Sequence, residues 1–512
     1  MRLRSLAAAA IAFTGLSAFT LAAAAETRTV GAGKQLATLD AAALVVNPGD
    51  IVEVYDDQSW AATVDGVFFK RAGTAAAKIT IRGMKNAQGK RPKLSGGKGW
   101  TVIFKANHYV FEGFEVTGGN ATCIIHKAND ITIRDSVVHD CPRHGILGTD
   151  EESGSLTMEY VEVYKCGGER PGEALQHPVY IATDASPTTG YPGSVFRMQH
   201  CWVHDANNGN NVKTRAERNE IRYNWIEGAG YYELELIGPD GPEPGSLPRE
   251  DSEVIGNVFV KTNTKAYAVR IGGDGTGYTD GRYRFLNNTF ILTADTGLMR
   301  INEGIESLEF SNNVAYRVGG APINYILRTD DAVWKQGQPR ISGANNWFPT
   351  ASENIPAEYK GTVLGKNPGF VSTSPLDVRL AANSELIDKG IASSPPAPNA
   401  AYPNPLAAPE FVPGLHAVPP LDNPLKRPMS GAPDIGAFEV GSDAPPGSTS
   451  GDPVTPGTED GGTDGAGASP DDGTAATADG CACRTTGSPS VGTAGVLAIA
   501  ALAYGLRRKR RR

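Results

Sequence analysis

The sequence predicts an all-β chain wound as a solenoid of parallel strands, and three observations carry that reading. A six-residue unit recurs ten times between Ile79 and Asn346. Its third residue is apolar in nine of the ten copies, Gly343 being the exception, and its sixth is Asn in the last five: Asn224, Asn257, Asn288, Asn313 and Asn346. Gly (61) and Pro (35) are abundant while only 8% of residues are aromatic, which suits short strands joined by turns. Successive copies start 22 to 40 residues apart, room for a coil of several short strands with loops of variable length. Coils stacked in register would set the Asn side chains above one another at ~4.8 Å, where amides can hydrogen-bond along a column.

Taken in order, the chain divides into four segments. Residues 1–25 have Arg2 and Arg4, an apolar run from Leu6 to Leu21 and Ala23-Ala24-Ala25, the pattern of a secretory signal cut after Ala25. Residues 26–440 form the expected solenoid. It opens with an amphipathic helix over Gly33–Leu44 that caps the first open edge, followed by a strand at Ile51–Tyr55. Ala182–Ser194 and Pro239–Asp251 are its longest loops, and the Pro-rich stretch Pro395–Pro428 reads as an extended cover along the stack. Residues 441–480 contain no Lys or Arg and almost nothing apolar, a flexible tether of roughly 35 Å root-mean-square span. Residues 481–512 begin with Cys481-Ala-Cys483, continue through an apolar run from Val491 to Leu506 that is shorter than the ~20 residues of a stable span, and end in basic Arg507–Arg512.

This ending resembles the myxobacterial C-terminal sorting tails, which implies a sorting protease and the membrane as partners and display at the cell surface or outer membrane, with release outside the cell as the other outcome. The Asn287-Asn-Thr-Phe290 and Asn312-Asn-Val314 units, with Leu386-Ile-Asp-Lys-Gly390 and Asp434-Ile-Gly-Ala-Phe-Glu439 as closing patterns, resemble right-handed parallel β-helix proteins of the pectate-lyase-like superfamily. The resemblance covers Thr27 to Glu439 and implies a right-handed parallel β-helix of about ten or more coils, acting as a monomer.

The chemistry is sought in a second aligned set, one strand per coil: HGIL (144–147), HPVY (177–180), NNVK (210–213), YELE (232–235), AYAVR (266–270) and GLMR (297–300). If Ile146, Val179, Val212, Leu234, Val269 and Met299 point inward, period-two alternation puts Leu147, Tyr180, Lys213, Glu235, Arg270 and Arg300 on one outer wall. Arg215, Asn211 and Glu233 flank that wall, and His144 and His177 share a register beside it. A basic column with a phenol and imidazoles suits an acidic polysaccharide. In β-elimination a base takes the proton alpha to a uronate carboxylate while cations neutralise the developing charge. Lys213 is the candidate base if neighbouring positive charge lowers its pKa. Arg215 and Arg270 could clamp the carboxylate, Tyr180 or His177 could protonate the leaving oxygen, and His144, Asn211, Glu233, Glu235 and Arg300 could bind substrate.

The piece Asn211-Val-Lys213-Thr214 resembles the lysine motif of the chondroitinase B and alginate lyase family. It departs from that pattern in placing Arg143-His144-Gly145 before the lysine instead of after it.

Competing expectations are weighed on the same residues. Alternating charges could be a ladder that only keeps an outer sheet soluble, on a non-catalytic carbohydrate-binding or adhesive protein. Glu233 and Glu235 with Asp240 could bind calcium. Glycoside hydrolysis needs paired acids, and Gly272-Gly-Asp274-Gly275 supplies one Asp in a turn. His108 and His126 read as structural, Cys201 as buried, and Cys141 with Cys166, each the eleventh residue of its coil, as stacked neighbours within disulfide range. A formal net charge of −8 argues against nucleic acid as a partner.

Overall fold

The computed structural model describes residues 25–168, 174–238, 250–274, 279–302, 304–330, 340–403 and 408–443. The signal segment, nearly all of the tether, the sorting tail and Asp240 therefore lie outside the described residues. Among the described residues no helix is long and apolar enough to cross a membrane.

Each coil of the parallel β-helix contributes up to three short strands, and these stack into three parallel ladders. The first ladder carries the repeated unit. All ten third residues fall in one column, Ile81, Phe111, Ile133, Met158, Met198, Ile221, Val254, Phe285, Phe310 and Gly343, each paired with the next. That column is apolar because it points into the stack, where its side chains are almost wholly excluded from water. Gly343 has its own cause. A Cβ there would lie 2.6 Å from the ring of Tyr359, which stacks on Phe310 and closes this end of the core.

The corner after the first ladder is built by a left-handed residue followed by an inward one. His200, Tyr223, Asn287, Asn312 and Asn345 have φ between 51° and 58°, and Gly256 has 65°. The residues after them are Cys201 and the five Asn residues. Each Asn Oδ1 accepts a backbone N–H from the coil before it at 2.9 to 3.0 Å, from Cys201 to Asn224 and on to Asn313 and Asn346. The Asn side chains also donate along the column at 2.9 to 3.2 Å. Turns with positive φ leave inward N–H groups that the sheets cannot satisfy, and the amide column satisfies them. Cys201 is buried at the head of that column, as expected.

The second ladder's outer face is covered along its C-terminal half. Trp225, Val258, Val260, Ile291, Val314, Tyr316 and Trp347 form a second core with Phe370, Val378, Leu380, Leu386, Val412, Leu425, Ile435 and Phe438. The Pro-rich cover thus lies along the stack, as expected. The closing motif clamps it: Gly436 donates to the Asn312 carbonyl at 2.8 Å, Ala437 to Thr289 Oγ1 at 2.9 Å, and buried Arg427 to Glu439 at 2.8 Å.

Two local expectations are corrected. The capping helix is only Leu39–Ala43, started by Thr38 Oγ1 accepting the Ala41 N–H. Lys34 and Leu36 instead donate to Gly31 and Thr29, folding residues 31–36 back on the first strand. The disulfide joins Cys123 to Cys141, with Cα atoms 5.7 Å apart, and leaves Cys166 and Cys201 as buried thiols. Parallel neighbours in one register carry their Cβ vectors side by side, so Cys141 bridges back at the corner to Cys123 on the preceding coil and not up to Cys166.

Candidate functional site

The third ladder comprises the ten strands Val67–Phe69, Trp100–Phe104, Thr122–His126, Ile146–Gly148, Val179–Ala182, Val212–Arg215, Leu234–Leu236, Val269–Ile271, Met299–Ile301 and Leu327–Thr329. Its inward residues Ile146, Val179, Val212, Leu234, Val269 and Met299 are buried. Its outward column runs Leu147, Tyr180, Lys213, Glu235, Arg270, Arg300, rung by rung in register, and continues to Arg328. Ahead of Leu147 the column is apolar, with Ile103 and Ile125 packed beside Tyr180 and Leu147.

At the centre, Glu235 lies between two cations. Its Oε1 accepts from Arg270, its Oε2 accepts from Asn210 Nδ2 at 2.6 Å, and Lys213 Nζ is 3.7 Å away. Burial works to raise its pKa, but Lys213 and Arg270 outweigh that effect and hold the carboxyl below its ordinary value. Lys213 Nζ also sits 5.2 Å from the centre of the Tyr180 ring. The charge nearest this ammonium is thus a carboxylate and not the second cation expected.

His144 and His177 occupy one register behind Tyr180. The His177 N–H donates to His144 Nδ1 and the Asn210 N–H to His177 Nδ1, both at 3.0 Å, and Asn210 Oδ1 accepts the Tyr232 N–H at 3.0 Å. The imidazoles do here what the Asn amides do at the other corner. Accepting at Nδ1 assigns the proton to Nε2. Burial depresses both, His144 to about 3 and His177 well below its ordinary value. Their rings lie 5.4 and 5.6 Å from that of Tyr180. They back this phenol instead of lining the wall, which corrects the substrate-contact role expected of His144 and the proton-donor role expected of His177.

Three further expectations change. Asn211 and Glu233 are fully buried: Asn211 Nδ2 donates to Glu233 at 2.7 Å, and the Ala229 N–H adds a bond at 3.0 Å. Strand alternation starts only at Leu234, so Glu233 belongs to the corner, where burial pushes its carboxyl up and the neighbouring Lys261 down. Arg215 faces outward but is sealed, giving Nη1 to the Gly238 carbonyl at 3.0 Å and Nη2 to Asp274. The turn aspartate is therefore the partner of this arginine. Calcium does not fit the donor set: Glu235 is committed to Lys213 and Arg270, Glu233 faces the interior, and no three His, Cys, Asp or Glu among the described residues group as a metal would need.

Sequence reasoning passed over Asn210, which orients Glu235, and the pair Arg328 and Asp330. Extending the register one strand past Arg300 to Leu327-Arg328-Thr329 would have found the latter.

The charge ladder expected of this column is present in it as Lys213–Glu235–Arg270, and a longer run of ion pairs lies on the first ladder's outer face. Arg82 meets Glu112 at 2.5 Å, Glu112 meets Arg134 at 2.6 Å, and Arg197–Glu220, Arg222–Glu253 and Arg284–Glu309 follow at 2.7, 2.8 and 3.0 Å. Cations and acids alternate there except where Glu220 and Glu253 are neighbours. The third ladder instead stacks Arg270, Arg300 and Arg328 on successive rungs.

Among solved structures the chain is similar to pectate lyase Pel9A, with a TM-score of 0.52 at 14% identity over 81% of this chain and 96% of that one. It is also similar to a rhamnogalacturonan lyase, TM-score 0.45, 14% identity, 68% and 91% covered. An alginate lyase from Paenibacillus sp. str. FPU-7 gives TM-score 0.40, 14% identity, 66% and 99% covered. At this identity the likeness is one of fold. No protein-family model and no curated protein matches the chain.

Proposed function

We propose that this protein is an exported, surface-displayed β-helix that binds acidic polysaccharide along the third ladder and cleaves it by β-elimination. The observation that carries the reading is the register of Tyr180, Lys213, Glu235 and Arg270 on consecutive rungs. Similarity in fold to pectate lyase Pel9A supports the same class of substrate.

In the proposed reaction the Lys213 ammonium first gives its proton to solvent, against the pull of the neighbouring Glu235 carboxylate, and the free amine then takes the proton on the carbon alpha to the uronate carboxylate. The electron pair of that C–H bond forms the new carbon–carbon double bond, the bond to the glycosidic oxygen breaks, and Tyr180 gives that oxygen a proton. Arg270 faces the substrate carboxylate as negative charge builds on it. Glu235 holds Lys213 and Arg270 one rung to either side of itself, a positioning role, and Asn210 fixes Glu235. His144 and His177 hold the phenol from behind.

The test is ultraviolet absorbance of the unsaturated product, screened over alginate, pectate and glycosaminoglycans with wild type and Lys213→Ala. Product from one polymer, lost in Lys213→Ala with binding retained, is the expected result. A second reading has its own observation: each cation of the column already faces a carboxylate of the chain, Glu235 or Asp330, as a non-catalytic adhesin would allow. Binding of a polymer by wild type with no product from any substrate would establish that reading and sink the lyase.

A further inference from the structure

Two acids each join a pair of cations of the outer column, Glu235 from its own rung and Asp330 from just beyond the strand of Arg328. In the first trio, Glu235 lies between Lys213 and Arg270, with its side chain 4% exposed. In the second, Asp330 lies between Arg300 and Arg328: its Oδ2 is 2.5 Å from Arg300 Nε and its Oδ1 is 3.2 Å from Arg328 Nε. The second trio is open. The side chains of Arg300, Arg328 and Asp330 are 34%, 51% and 24% exposed. Asp330 meets both guanidinium groups at Nε, the atom nearest the stem, and so leaves their terminal nitrogens to other partners.

Aromatic rings lie beside this trio. The Tyr267 hydroxyl is against Arg328 and the Tyr232 hydroxyl against Arg300. Tyr267 packs edge to face with Tyr325 at 6.2 Å, and Tyr325 is 49% exposed, one of the few large side chains the protein leaves in water. The position of Tyr267 depends on Gly297, where a Cβ would fall 2.0 Å from the ring. Backbone without a side chain is what admits this ring against the ladder. Two stacked guanidinium groups recognise a carboxylate, and an exposed tyrosine offers an apolar face to a sugar ring.

We propose that Arg300, Arg328, Tyr267 and Tyr325 form a second, distal subsite for a uronate residue, its two arginines three and four rungs and so ~14 and ~19 Å from Lys213 at the ~4.8 Å strand spacing. The proposal rests on the reading of the third ladder as a polysaccharide trough, and it adds that the chain needs a long polymer to engage both trios. Distal contacts of this kind add affinity for long ligands only.

The experiment titrates a uronic-acid disaccharide and a long oligomer of the same sugar against Lys213→Ala protein, in which turnover is blocked, with and without Arg328→Ala and Tyr325→Ala. Both added substitutions are at exposed side chains, and an unchanged thermal transition confirms the fold. The expected result is about tenfold weaker binding of the oligomer and unchanged binding of the disaccharide. Equal losses at both lengths, or no loss for the oligomer, overturn the subsite. Failure of wild type to yield unsaturated product while the length-dependent loss stands sinks the lyase and leaves the subsite in place. Failure of the oligomer to bind at all removes both.

Discussion

Glu235→Gln removes the negative charge from the centre of the column while keeping its shape. The glutamate accepts from Asn210 at 2.6 Å and from Arg270, and both donors are largely out of water: Asn210 is 2% exposed and the Arg270 side chain 12%. A glutamine must turn its NH2 toward one of these two donors, so one buried hydrogen bond becomes a clash and Arg270 loses its counter-charge. Breaking a buried ion pair from one side costs about 3 to 5 kcal/mol. Lys213, 3.7 Å away and 17% exposed, adds at most ~1 kcal/mol. The comparison is Glu112→Gln on the first ladder, whose partners Arg82 and Arg134 are 39% and 35% exposed, where screening limits the loss to about 1 kcal/mol per pair. Urea unfolding followed by tryptophan fluorescence at pH 7 should show a lower midpoint for Glu235→Gln than for Glu112→Gln. Adding Arg270→Met to Glu235→Gln should recover part of the loss, because no unpaired cation is then left inside. Equal midpoints for the two single variants, or strict additivity of Glu235→Gln with Arg270→Met, would refute the buried clamp.

Four other outcomes are expected. His177→Asn should fold and His177→Leu should lose about 1 to 3 kcal/mol, because Asn keeps an acceptor for the Asn210 N–H, as Asn210 itself does for Tyr232, and Leu does not. Since burial depresses His144 and His177, the unfolded chain binds more protons below pH ~6.5, so stability falls as pH drops from there toward about 3, and His144→Asn should flatten that slope in acid titrations followed by circular dichroism. His204 titrates the other way: burial lowers its pKa but Asp205 at 2.8 Å and Glu162 at 3.3 Å outweigh burial and raise it, so its contribution is full below pH ~6.5 and lost as pH climbs through the folded value, a loss that His204→Gln should abolish. Peptide mapping without reduction should recover Cys123 joined to Cys141, and alkylation of native protein should leave Cys166 and Cys201 unlabelled, since both are buried and burial pushes their thiols up; a Cys141–Cys166 peptide would overturn the pairing.

The fold was legible because its signals are local and repeated. The third residue of the unit, the Asn corner and the period-two alternation each state a direction for one side chain, and stacking multiplies that statement down the column. The outer column from Leu147 to Arg300 was legible for the same reason. What failed were groups at the edges of strands. Glu233 is one residue before Leu234–Leu236, so alternation had not yet begun, and Asn211 turns to meet it inside the corner. Arg215 is the last residue of its strand and is claimed by Asp274, 59 residues on, a contact with no trace in local spacing. Cys123 and Cys141 meet at a corner between successive coils, and only the shape of that corner says so.

The two charged faces differ in a way that ionic strength can read. On the first ladder every acid of the run has an arginine beside it, and the field of such a face cancels within a rung or two. On the third, among the described residues, Lys213, Arg270, Arg300 and Arg328 share Glu235 and Asp330, two more cations than acids (four minus two), on a chain whose formal net charge is −8. That surplus is unevenly shielded. Lys213 and Arg270 are pinned against a buried carboxylate, whereas Arg328 is half in water, where a Debye length of ~8 Å at physiological salt applies in full. Added salt should therefore weaken binding of a long polyuronate chiefly through the distal pair. Titrations between low and physiological salt should show a steep dependence for wild type and a shallower one for Arg328→Ala, with the disaccharide much less sensitive in both. A polyuronate that binds with no salt dependence, or a slope that Arg328→Ala leaves untouched, would mean that the surplus charge is not what meets the polymer.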